Sequence, residues 1–71
     1  MRYLVVVEKG SDSFGAYVPD LPGCVAAADT RDEVLALIRE AITFHIEGLR
    51  EDGQAIPQPS STGVLVDVAA A

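Results

Sequence analysis

The segment that most constrains this chain is the helix that "TRDE" opens and "DG" closes. In Thr30–Glu33 the threonine hydroxyl is placed to accept from the amide of Glu33, while the Glu33 carboxylate reaches back to the amide of Thr30. That is a capping box. Asp32 and Glu33 also suit the positive end of the helix dipole. Gly53 provides a left-handed stop, and Pro57 prevents continuation. The signals predict a helix over about 31–52, close to a third of a 71-residue chain.

At about 100° per residue, Val34, Ile38, Ala41, Ile42, His45 and Leu49 fall on one stripe, with Leu35 and Ile46 on one flank. Arg39, Glu40, Thr43, Glu47, Arg50 and Glu51 fall opposite. Leu37 and Phe44 extend the apolar arc on the other flank, beside Gly48, beyond what one sheet contact needs. That flank is a candidate second contact, with another subunit or a partner. The alternative is ordinary partial exposure, because scattered exposed apolar residues are normal.

The stripe needs a sheet to cover it, and the rest of the chain reads as strands. Residues 2–8 are rich in Val and Tyr, with Tyr3, Val5 and Val7 on one side and Leu4 and Val6 on the other. "KGSDS" is turn chemistry. Residues 14–18 place Phe14, Ala16 and Val18 on one face and Tyr17 on the other. Residues 24–28 are a weaker strand, since alanine has poor strand propensity. After the helix and a proline-rich connection, residues 64–68 alternate Val64, Val66 and Val68 against Asp67. The expected architecture is α+β, a two-layer β-β-β-α-β sandwich in one domain over 1–71. Its expected sheet order is 3-2-1-4, with strand 4 parallel to strand 1 after a right-handed crossover and the helix on one face.

A chain this short buries only about 60% of its unfolded surface, so its core is marginal. One cysteine allows no internal disulfide, and no Cys/His cluster has zinc spacing. Oligomerisation is the remaining common support. Eleven acidic against five basic residues oppose direct nucleic-acid binding and suit a basic protein partner, although charge alone also serves solubility. The run Tyr3–Val7 is too short for a secretory core. No segment approaches the roughly 20 apolar residues of a membrane span. A cytoplasmic protein is expected.

Candidate chemistry is sparse. In "DLPG", Pro22 and Gly23 suit the second and third positions of a type II turn, and Asp20 can bond the amides that follow it. Cys24 would need a base and a lowered pKa to act as a nucleophile; the sole histidine, His45, sits in the apolar stripe. Glu8, Asp67 and either Glu40 or Glu47 could supply a two-metal nuclease site, but the helix angles turn both glutamates away from the sheet. No catalytic, cofactor or metal residue is assigned. The candidate interface residues are Asp20, Leu21, Leu37 and Phe44.

The ordered set of features in Val18–Ser60 resembles the HicB-like antitoxin family of type II toxin–antitoxin systems. The features are Asp20-Leu21-Pro22-Gly23-Cys24, the Asp29-Thr30 helix start, the Asp52-Gly53 stop, and Pro57 and Pro59. The resemblance implies a partial ribonuclease H-like fold and a non-catalytic role. It also implies masking of a HicA-type toxin, a small basic protein that cleaves messenger RNA, and assembly as a homodimer or homotetramer. Many family members carry a C-terminal DNA-binding domain. This sequence ends straight after the fourth predicted strand, so direct DNA binding is not expected. Two alternatives stay open: a toxin-independent regulatory or structural oligomer, and a metal-dependent nuclease remnant.

Overall fold

The computed structural model describes residues 1–70. Three strands, β1 (Val6–Lys9), β2 (Phe14–Tyr17) and β3 (Val25–Ala28), precede one helix, α1 (Arg31–Glu51). The strands form an antiparallel sheet in the order β1-β2-β3. Val7, Ala16 and Ala26 are cross-strand neighbours on one face; Val6, Tyr17 and Val25 are neighbours on the other. The helix packs over β2 and β3 on the Ala16 side. There Ala16, Val18, Leu21, Cys24, Val34 and Ile38 form the buried core.

The α+β class and the single helix on one sheet face stand as expected, with the helix ending one residue early. The four-stranded sandwich does not stand, nor does the order 3-2-1-4. Residues 64–68 form no strand, and Val64, Leu65, Val66 and Val68 are 73–103% exposed. Alternation of valines signals strand propensity, but a ladder needs a partner, which local pattern cannot specify. The first strand is also shorter than expected. Its ladder starts at Val6, paired with Tyr17, because Val18 already enters the turns that reverse the chain.

Both helix ends close as their residues dictate. Thr30 Oγ1 accepts from the Glu33 amide at 3.1 Å. The Glu33 carboxylate accepts from the Thr30 hydroxyl at 2.9 Å, where the capping-box expectation had it reach the Thr30 amide. At the other end Gly53 has φ +69. The Gly53 amide donates to the Arg50 carbonyl, and that of Gln54 to the Leu49 carbonyl, a Schellman closure.

The helix overhangs its sheet. Twenty-one residues span about 31 Å, whereas four-residue strands span ~13 Å. Burial is therefore complete only at Val34 and Ile38. Ala41 and Ile42 pack at the core's edge, and His45, Ile46 and Leu49 are half-exposed.

Candidate protein-interaction surface

The loop between β2 and β3 is built from two consecutive turns. The Leu21 amide donates to the Val18 carbonyl and the Cys24 amide to the Leu21 carbonyl, each at 3.0 Å. Gly23 has φ +85, the conformation that a type II turn over Leu21–Cys24 requires of its third residue. The Val18 amide then donates to the Cys24 carbonyl and closes the loop.

This geometry redirects both candidate residues in the loop. Leu21 lies between the turns and points inward at 0% exposure; it is a core residue, and the expectation of an exposed Leu21 is corrected. Asp20 does not bond the amides of its own turn. Its Oδ2 accepts from the amides of Ser60 (2.8 Å) and Ser61 (2.9 Å), and its Oδ1 from their hydroxyls. The backbone bond from Ser61, then that from Ser60, lowers the Asp20 pKa from 3.8 to about 2. Four donors converging on one carboxylate make Asp20 a clamp on the returning chain. The Tyr3 hydroxyl adds a second tie by donating to the Pro57 carbonyl, and Gly63 lies against Leu4. Nothing local in the sequence pointed to Ser60 and Ser61, which lie 40 and 41 residues from Asp20.

The candidate chemistry does not assemble. Cys24 is buried, and burial pushes its thiol pKa up, which disfavours the thiolate that nucleophilic attack requires. Among the described residues, no group of three or more His, Cys, Asp and Glu could hold a metal ion. Glu8, Asp67, Glu40 and Glu47 therefore do not form the convergent site that a two-metal nuclease needs. Among the same residues, no helix is long and apolar enough to cross a membrane.

What the fold does present is apolar surface in two places. On α1, Phe44 is 78% and Leu37 43% exposed. With Ala41 they follow a helical i, i+4, i+7 progression and line a shallow groove bordered by Arg39, Glu40, Thr43 and Glu47. The wide arc read from the sequence thus corresponds to a continuous apolar surface with a charged rim of two carboxylates and one guanidinium. On the sheet face away from the helix, Val6, Tyr17 and Val25 run side by side across all three strands, and Tyr17 and Val25 are exposed.

The class so defined is a one-helix α+β domain with one packed sheet face, a bare apolar row on the other, and an exposed apolar helix flank rimmed by charged residues. Residues 3–69 match the model of the HicB-like antitoxin of bacterial toxin-antitoxin systems, and the chain belongs to that family. It is 45% identical to an uncharacterized 14.9 kDa protein of Haemophilus phage HP1, over 82% of this chain and 44% of that protein. It is 36% identical to a UPF0150 protein of Thermoplasma acidophilum, over 93% and 97% of the two chains. Against Antitoxin HicB 2 of Photorhabdus laumondii it is 35% identical, over 89% of this chain and 45% of that antitoxin. The chain thus spans under half the length of the phage protein and of the named antitoxin, and nearly all of the archaeal one. A chain of the solved HicA3 and HicB3 toxin-antitoxin complex superposes with TM-score 0.72 at 32% identity, covering 84% of this chain and 70% of that one.

Proposed function

We propose that this chain is an antitoxin that binds and masks a HicA-type toxin without catalysis of its own. The observation that carries the reading is the likeness, in both fold and sequence, to a chain of a toxin–antitoxin complex. The surface fits the role. A net charge of −6 favours a basic partner and speeds its encounter, and Phe44 is the kind of exposed aromatic anchor that dominates interface energetics. We assign the contact to Leu37 and Phe44 with the Glu40 and Glu47 rim. Asp20 and Leu21 leave the candidate set, because one is engaged by Ser60 and Ser61 and the other is buried.

The test is co-expression with the product of a neighbouring short, basic reading frame. The antitoxin reading predicts growth rescue and co-purification of the two chains. Phe44→Asp should weaken the complex at least about 30-fold, the scale of an interface hot spot. Failure of the wild-type chain to rescue or retain that product would end the reading.

A further inference from the structure

Basic side chains number five against eleven acidic ones, yet two of the five, Arg2 and Arg39, line one apolar trough. We propose that this trough, between α1 and the segment that leads into β1, binds a short acyl chain ending in a carboxylate, a free fatty acid. This inference is independent of the toxin reading.

The trough follows from how the two layers overlap. Helix α1 packs over β2 and β3, so its side toward the start of the chain meets only the extended residues before β1. Tyr3 and Val5 form one wall there and Leu35 and Ile42 the other, with the buried Ile38 between them. Tyr3, Val5 and Ile42 pack against the core and stay half-exposed on their other side. The Tyr3 hydroxyl donates to the Pro57 carbonyl, which holds that wall in place. The volume is about 380 Å³, within the range of small-molecule sites lined mainly by apolar side chains with a few polar groups.

The polar groups at its mouth select the occupant. Arg2 adjoins Tyr3 on one wall, Arg39 adjoins Ile38 on the other, and both are exposed. Their stems can lie along apolar surface while the guanidinium groups stay in water. A guanidinium takes a carboxylate through paired N–H donors. Among the described residues no acidic side chain lines the trough, so the two positive charges stand together on a chain of net charge −6. An apolar tail would fill the trough and an anionic head would meet both arginines at its mouth. A neutral amphiphile leaves those charges unused, and a cationic one is repelled by them. The acidic remainder of the surface opposes approach to an anionic bilayer, so the source is a free acid rather than a membrane lipid.

The experiment is an isotope-edited NMR titration of the full chain with octanoate below its micelle concentration. Hexanoate, octanol and phosphatidylglycerol vesicles serve as comparisons. Octanoate should shift the amides of Val5, Leu35 and Ile42. Each methylene removed on going to hexanoate should weaken binding about two- to fourfold. Arg2→Gln and Arg39→Gln should each weaken octanoate about threefold, the scale of an exposed ion pair, and leave octanol unchanged. Octanol should bind about tenfold more weakly than octanoate, as loss of both pairs requires, and vesicles should move no trough amide. Equal binding of octanol, unchanged octanoate affinity in both arginine variants, or trough shifts caused by vesicles alone would overturn the proposal. So would trough amides that ignore octanoate, including the case in which they respond only to protein concentration because a second copy fills the trough.

Discussion

Asp20 joins two stretches of chain 40 residues apart through one carboxylate, and its effect should be visible as a titration. A folded-state pKa of about 2, below the usual 3.8, means the clamp stabilises the fold above pH 4 and is lost as pH falls from about 4 through 2. The amides of Ser60 and Ser61 should therefore shift with a midpoint near 2 in an NMR titration. In Asp20→Asn that titration should vanish and both amides should exchange rapidly, with the helix amides unaffected. Retained protection in the variant would refute the clamp. Gly23 and Leu21 make different demands on the same loop. No atom lies within 4 Å of a methyl group placed on Gly23, so Gly23→Ala should cost only the backbone penalty of about 1–2 kcal/mol. Leu21→Ala empties a fully buried site and should cost about 2–5 kcal/mol, a large share of the stability available to so small a domain. Urea unfolding separates the two. The turn itself was legible in "DLPG" because proline and glycine act on their own dihedrals. The partners of Asp20 and the inward direction of Leu21 were not, because both depend on residues that the chain brings together only once folded.

At the scale of elements, the helix was the most legible part of the molecule, since caps and stop signals act within a few residues of themselves. Thr30→Ala removes a bond that the structure shows at 3.1 Å and should cost about 1 kcal/mol, read as a lower thermal midpoint. The overhang was less legible. The stripe from Val34 to Leu49 has one hydrophobic character along its length, but strand lengths are set by register and by where the turns fall. Only the first half therefore lies on the sheet. That mismatch explains why His45, Ile46 and Leu49 are only partly buried although they share the stripe; the exposure of Leu37 and Phe44 follows from their angle on the helix. Phe44→Asp should change folding stability by no more than about 0.5 kcal/mol, as an exposed substitution does, while weakening the toxin complex. Equal loss of folding and binding would show that Phe44 acts through the fold.

For the whole molecule, the strand, strand, strand, helix succession was legible, whereas the closing strand was not. The valines of 64–68 carry the right pattern, but a pattern does not supply the edge that a strand must pair with. The result is a body 51 Å long in its greatest extent, with apolar surface on its tail, its outer sheet face and its helix flank. Exposed apolar surface of this kind marks sites of protein–protein interaction, which is what the proposed antitoxin role requires. The most direct measurement of that claim is messenger-RNA cleavage by a purified HicA-type partner as this chain is titrated in. Cleavage should stop near stoichiometric addition of the wild-type chain and persist with Phe44→Asp at the same concentration. Undiminished cleavage at a large excess of folded wild-type chain would contradict it.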